Sequence, residues 1–103
     1  MVDLNELQKA VWQNKVDHGF NTTDINEEFC LLTSEIGEAY RARSLVDQSE
    51  FAEELADIAI YLLGIAEMKH VDLEAAILKK IEKNRRRRYF QREDGSWGKT
   101  EGN

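Results

Sequence analysis

The stretch that decides the fold is FAEELADIAIYLLGI, residues 51–65. Its apolar side chains recur every three or four residues, as on one face of an α-helix. The chain of 103 residues contains no proline and only 6 glycines, which favours long helices over a β architecture with many turns. We therefore predict an all-α domain.

Three more amphipathic segments lie on either side of this stretch. The first spans about residues 3–18, and Gly19 is positioned to end it. The residues that recur in it at helical spacing are Leu4, Leu7, Val11 and Lys15. The second begins near Thr23 or Asp24. Its predicted inward stripe consists of Ile25, Phe29, Leu32, Ile36 and Ala39. The fourth begins at Asp72 and continues into the basic residues 85–88, which suit a helix C-terminus.

Two helices carry pairs of acidic residues three positions apart. Glu35 and Glu38 lie on the second helix, and Glu54 and Asp57 lie on the third. Residues at this spacing share one helical face, and a rotation of about 100° per residue places both pairs beside the apolar stripes. Packing of the two helices would then bring four carboxylates together. A solvated acidic face is the alternative for either pair taken alone.

Four carboxylates at one place repel each other and are costly to desolvate without a counter-charge. Magnesium is a hard cation that takes oxygen ligands and bridges to substrate phosphates. These helices contain no Glu-x-x-His pair of the di-iron type, and the chain has no His or Cys cluster suited to zinc. We therefore predict that Mg²⁺ binds at Glu35, Glu38, Glu54 and Asp57.

Composition limits the cellular setting and the partners. A formal net charge of -6 argues against nucleic-acid binding, despite the basic run at residues 85–88. The chain begins without a signal peptide and has no apolar stretch long enough to cross a bilayer. The single cysteine, Cys30, cannot form an internal disulfide, and its apolar neighbours predict a buried thiol. We expect a cytoplasmic protein without membrane contact.

The motifs resemble those of the MazG-type all-α nucleoside triphosphate pyrophosphatases. The resemblance rests on residues 34–39 (SEIGEA), residues 53–58 (EELADI) and the fourth helix from Val71 to Arg87. It covers roughly residues 25–89 and is nearest to the dCTP pyrophosphatase branch. It implies a four-helix bundle assembled as a homo-oligomer, either a dimer or a dimer of dimers. We predict a domain over residues 1–90 and a polar tail over residues 91–103, mobile unless a partner orders it.

The resemblance also implies an activity. Such enzymes use Mg²⁺ to hydrolyse a nucleoside triphosphate between the α- and β-phosphates, which gives a monophosphate and pyrophosphate and serves nucleotide-pool house-cleaning. Glu35 or Glu38 would accept the proton of the attacking water. Lys80 and Arg87 would balance the charge of the phosphates. A dCTP-like nucleotide is the expected substrate.

Four further residues are predicted to bind substrate through the resemblance. Tyr61 would lie near the sugar, or else be an aromatic residue at the core margin. Asn84, one turn after Lys80, would contact the substrate or cap its helix. Trp12 and Phe20 are candidates to stack on the base, although core packing is the commoner role of such residues.

One position departs from the family pattern. Many members have a Glu immediately before the first ligand, where this chain has Ser34. Glu28, two turns before Glu35, is a candidate for part of that space. The departure leaves open a non-enzymatic helical module that binds a nucleotide or a protein. Within the same fold, dUTP or phosphoribosyl-ATP are alternative substrates.

Overall fold

The computed structural model describes residues 2–100, and four helices make up most of this range. The helices are α1 (Leu4–His18), α2 (Ile25–Ala42), α3 (Ser49–Met68) and α4 (Leu73–Arg86). An antiparallel hairpin of two strands, β1 (Arg88–Gln91) and β2 (Trp97–Thr100), follows them. The four predicted helices are confirmed, whereas the hairpin is an addition to the predicted all-α fold.

Local side-chain chemistry fixes the ends of the first two helices. Asp3 Oδ1 accepts hydrogen bonds from the backbone N–H groups two and three residues later, at 2.9 and 3.3 Å. Asp24 Oδ1 caps α2 in the same way, at 3.0 and 3.3 Å. Gly19 ends α1 with φ of 69°, a left-handed conformation that glycine adopts without steric cost. These boundaries agree with the sequence prediction.

The chain divides into two compact units, with the boundary between Leu73 and Glu74. In the first unit, α3 packs against both α1 and α2. The buried apolar side chains of this unit are few and small: Leu32, Ala39, Ala42, Leu63 and Ala66. The second unit contains most of α4 and the hairpin. None of the described helices combines the length and the apolar character needed to cross a membrane.

The inward face of α2 differs from the predicted stripe. Glu28 and Leu32 are buried, whereas Phe29 and Ile36 are 50% and 51% exposed. On α3, Leu55 and Leu62 belong to the apolar repeat of residues 51–65, which predicts an inward face, but both are exposed. Both helices are apolar on more than one side, and periodicity cannot tell which side packs within the same chain.

The predicted burial of Cys30 is also wrong, because this thiol is exposed. It lies two residues before Leu32, and positions two apart on a helix point about 200° from each other. Since Leu32 is buried, Cys30 points away from the core of its unit. Flanking apolar residues are therefore a poor guide to burial on this helix.

Candidate metal centre and nucleotide site

Three glutamates converge where α2 packs on α3. Glu35, Glu38 and Glu54 each offer one carboxylate oxygen, and these oxygens all lie within 4.8 Å of one another. All three residues are half-buried. The structure thus brings together three of the four carboxylates that the spacing predicted.

Two oxygens of this cluster have no hydrogen-bond donor in the described part of the chain. Glu35 Oε2 and Glu54 Oε2 are buried and have no hydrogen-bond partner within residues 2–100. Ionised carboxylates only accept hydrogen bonds, so neighbouring carboxylate oxygens repel unless a proton or a cation lies between them. The interaction with the Glu35 carboxyl, followed by desolvation and the charges of Glu35 and Glu38, raises the pKa of Glu54 to about 7.

The donor set fits a hard divalent cation. Every member of the cluster is a carboxylate, and the two donorless oxygens would gain a partner from such an ion. Oxygen-only ligands suit Mg²⁺ and Mn²⁺, whereas structural zinc sites use cysteine and histidine. Glu35, Glu38 and Glu54 are therefore the residues that could hold a divalent metal ion.

Asp57 lies outside the group of oxygens that meet within 4.8 Å. It is exposed and lines a neighbouring cavity, one helical turn along α3 from Glu54. The compact cluster therefore contains three carboxylates rather than four. The role of Asp57 as a metal ligand stays a prediction.

A half-open cavity of about 920 Å³ lies beside the cluster in the first unit. Apolar side chains of α1 and α3 form much of its wall, and Asp57 and Tyr61 lie on it. Burial raises the pKa of Tyr61, and the charges of Glu35, Glu28, Asp57 and Glu38 raise it further. Tyr61 therefore lies on the cavity wall and close enough to the carboxylate cluster for its charges to affect the hydroxyl group. The volume falls within the range of small-molecule sites, about 300–1,000 Å³.

The two predicted base-stacking residues differ in position. Phe20 lines the cavity, and its ring stacks on His18 with centroids 5.2 Å apart. Trp12 is half-buried on α1 and does not line this cavity. Of the two, Phe20 is thus the residue that lies at the cavity, and its stacking on a base stays a prediction.

A buried ion pair at the cavity was missed by sequence reasoning. Lys15 Nζ donates to Glu28 Oε1, and Asn21 Nδ2 donates to Glu28 Oε2 at 3.0 Å. Glu28 is 1% exposed and Lys15 is 9% exposed. Two signals in the sequence could have revealed the pair. Lys15 interrupts an apolar face, and Glu28 lies seven residues before Glu35 on the same side of α2.

The predicted phosphate-binding residues lie in or beside the end of α4, in the second unit. Arg87 Nη1 donates to Asn84 Oδ1 at 3.0 Å. Lys80 lies one turn before Asn84 on the same helix. Asn84 and Arg87 are thus brought together, and their contact with a substrate stays a prediction.

Comparisons with known proteins give a family and similar enzymes. The model of the MazG-like family matches residues 25–99. A dATP/dGTP diphosphohydrolase of Salmonella phage PMBT28 is 35% identical over 93 residues, which make up 90% of this chain and 30% of that protein. The chain therefore spans less than a third of the length of this relative.

A solved structure has the same fold. It is the MazG-like pyrophosphohydrolase of cyanophage S-2L, bound to dGDP and three catalytic Mn²⁺ ions per active site. It aligns with a TM-score of 0.64 and 25% identity, over 97% of this chain and 94% of the cyanophage chain. Neither relative is named for dCTP. The segment that matches the family model contains the carboxylate cluster, and the chain belongs to the MazG-like family.

Proposed function

We propose that this chain is a divalent-metal-dependent pyrophosphohydrolase of deoxynucleoside triphosphates. The reaction would release a deoxynucleoside monophosphate and pyrophosphate and would serve nucleotide-pool house-cleaning. The observation that carries the proposal is the cluster of Glu35, Glu38 and Glu54, in which two buried oxygens have no donor among residues 2–100. One helical turn from Glu54, Asp57 lines a cavity of about 920 Å³. The names of the two relatives support the same chemistry.

The proposed metal is Mg²⁺, with Mn²⁺ as the alternative because the cyanophage structure contains it. Such an ion, when bound, neutralises the triphosphate and lowers the pKa of a water molecule. Glu35 and Glu54 would hold it through their buried oxygens. Asp57, one turn from Glu54, would add a ligand or contact the substrate beside them.

Glu38 is the proposed general base. It belongs to the cluster and also lines a second, open cleft of about 360 Å³, together with Arg41 and Glu50. Glu35, by contrast, buries one carboxylate oxygen. A general base needs access to water within hydrogen-bonding reach, and Glu38 meets this requirement better than Glu35. Lys80 and Arg87 would balance the phosphate charge, and Asn84 would bind beside them.

Purine deoxynucleotides are the proposed substrates. The sequence motifs favour dCTP, whereas the phage relative is named for dATP and dGTP and the cyanophage structure holds dGDP. We place the purines first because the phage relative is 35% identical over 93 residues. Tyr61 would face the sugar and Phe20 the base. The cytoplasmic location stays a prediction.

We also propose that the chain works as a homo-oligomer. Phe29 and Ile36 on α2, and Leu55 and Leu62 on α3, leave about half of their surface exposed in the single chain. Large apolar side chains exposed together on a helix are typical of a surface that a partner covers. Sedimentation equilibrium would distinguish a monomer from a dimer or a dimer of dimers.

A pyrophosphate-release assay tests the proposed activity. The purified chain is incubated with each natural deoxynucleoside and ribonucleoside triphosphate, in Mg²⁺, in Mn²⁺ and in excess EDTA. Chromatography then separates monophosphate plus pyrophosphate from diphosphate plus phosphate. We expect the first pair of products, and only with metal. Thermal stabilisation by nucleotides without any turnover would instead favour the non-enzymatic module.

A further inference from the structure

The Lys15–Glu28 pair lies at the cavity, outside the carboxylate cluster. Of the described residues that line the cavity, Lys15 is the only cation. Its hydrocarbon stem passes over Gly64 of α3, where an added Cβ would lie 3.6 Å from Lys15 Cδ. The position of the ammonium group is therefore fixed by α3 along its stem and by Glu28 at its tip.

The ammonium group of Lys15 has unused hydrogen-bonding capacity. A lysine ammonium carries three N–H donors, and Glu28 Oε1 is the acceptor found for it among residues 2–100. The side chain of Lys15 is 11% exposed, and buried donors are nearly always satisfied. Because Lys15 lines the cavity, further acceptors can come from water or from a ligand that displaces water there.

Glu28 also lines the cavity, but it is nearly fully buried. Its two oxygens accept from Lys15 and from Asn21, and the residue is 1% exposed. Asn21 is fixed in turn, because its Oδ1 accepts from the backbone N–H of Asp24 at 2.9 Å. Glu28 thus neutralises the charge of Lys15 and holds its ammonium group in place. Lys15 is the member of the pair with hydrogen-bond donors left for a ligand.

We propose that Lys15 reads the base of the substrate and selects guanine, an inference that rests on the proposed function. Guanine presents two adjacent acceptors, O6 and N7, and lysine commonly binds this pair. Adenine places an N6 amine where guanine has O6, so a buried ammonium would face a donor. The apolar walls around Lys15 suit the faces of a purine ring. Glu28 acts as a positioning residue.

Substrate analogues test the inference without altering the protein. We compare kcat/KM for dGTP, for dITP, which keeps O6 and N7 but lacks the 2-amino group, for 2-aminopurine deoxyriboside triphosphate, which lacks O6, and for dATP. We expect dGTP and dITP to be alike, and both about tenfold to a hundredfold better than the other two. Loss of activity with dITP, or full activity with the 2-aminopurine nucleotide, would overturn the inference.

A double variant tests the residues. Lys15→Met/Glu28→Gln removes both charges and so leaves no unpaired buried ion. We expect the ratio of kcat/KM for dGTP to that for dATP to fall to nearly one. If the pair is merely structural, both substrates lose the same factor and the ratio is kept, which would contradict the proposal. The matched control is Lys9→Met/Glu67→Gln, which removes a second Lys–Glu pair between α1 and a neighbouring helix, joined at 2.7 Å, and should keep the ratio.

A binding experiment separates this inference from the proposed activity. Isothermal titration calorimetry measures the Kd of dGMP, dIMP and dAMP, and it requires no turnover. Tighter binding of dGMP and dIMP than of dAMP supports base reading even if no triphosphate is hydrolysed. Equal binding of the three, or no binding of any, overturns it.

Discussion

Glu35 on α2 and Glu54 on α3 each bury a carboxylate oxygen that has no hydrogen-bond donor among the described residues, and the two side chains meet within 4.8 Å. Glu28, seven residues before Glu35 on the same helix, has both of its oxygens satisfied, by Lys15 and Asn21. Among residues 2–100, the buried carboxylate of Glu28 thus has a cation as its partner, whereas the half-buried carboxylate of Glu35 has one buried oxygen without any donor. The contrast supports the proposal that a cation from solution binds at the cluster.

The first prediction concerns the stability of the metal-free protein. The pKa of Glu54 is about 7 in the fold and 4.5 as the reference value. Between these values the folded state holds a proton that the unfolded state has lost, so stability falls as pH rises through this window. In EDTA, we expect the Tm of the wild type to decrease from pH 5 to pH 8.

The matched variant for this prediction is Glu54→Gln, which has no carboxyl to titrate. Its Tm should fall less than that of the wild type over the same range, measured by differential scanning calorimetry. Parallel curves for the two proteins would show that Glu54 titrates at an ordinary pKa, and the close approach of Glu35 would then be without consequence.

A second prediction is that Mg²⁺ or Mn²⁺ stabilises the protein by occupying the cluster. A ligand present at a hundredfold excess over its Kd adds about 2.7 kcal/mol, which raises the Tm of a domain of this size by on the order of 10 °C. Because Glu54 holds a proton below pH 7, binding should weaken as pH falls through this value. Titration calorimetry at several pH values measures both effects.

The ligand assignment is checked by comparing neighbouring glutamates. Glu54→Gln should abolish the metal-induced rise in Tm and lower kcat/KM by at least about 100-fold, since even outer-shell partners of a metal contribute 10- to 100-fold. Glu53→Gln makes the same chemical change at an exposed residue that is absent from the cluster, and it should leave both quantities unchanged. Equal effects of the two variants would rule out Glu54 as a specific ligand.

The third prediction concerns Asp57, whose substitution should affect metal binding and turnover to different extents. Its side chain lies outside the three-carboxylate group and on the cavity wall. Asp57→Asn should therefore weaken metal binding to the nucleotide-free protein less than Glu54→Gln does, while still lowering turnover. Metal Kd values from calorimetry, set beside kcat/KM, make the comparison. A metal affinity as poor as that of Glu54→Gln would place Asp57 among the primary ligands.

The sequence predicted what is local in this fold. Asp3 and Asp24 cap their helices, and Gly19 ends α1, because these effects need only neighbouring backbone groups. The convergence of Glu35, Glu38 and Glu54 follows from helical spacing once α2 packs on α3.

What the sequence did not predict depends on contacts between distant residues. The Lys15–Glu28 pair joins two helices, and its formation depends on how α1 and α2 pack. The inward face of α2 was misjudged because Phe29 and Leu32 are both apolar and only packing decides between them. The side chains of the hairpin at residues 88–100 are mostly exposed. Its strands therefore need no alternating apolar pattern, and the sequence shows none. Pairing of its strands was therefore invisible to periodicity.

The fourth prediction concerns the energy of the buried ion pair. Lys15→Met keeps the unbranched stem that packs against Gly64 but leaves Glu28 buried without its cation, and breaking such a pair costs about 3–5 kcal/mol. Replacing both members, as in Lys15→Met/Glu28→Leu, removes the unpaired charge and should restore most of the lost stability. Urea unfolding of the wild type, the single variants and the double variant completes the cycle. Glu28→Leu alone should also destabilise the fold, because it leaves the ammonium group of Lys15 buried without its carboxylate partner. If instead the double variant lost the sum of the two single effects, Lys15 and Glu28 would be energetically independent, and Glu28 would not be positioning Lys15 at the cavity.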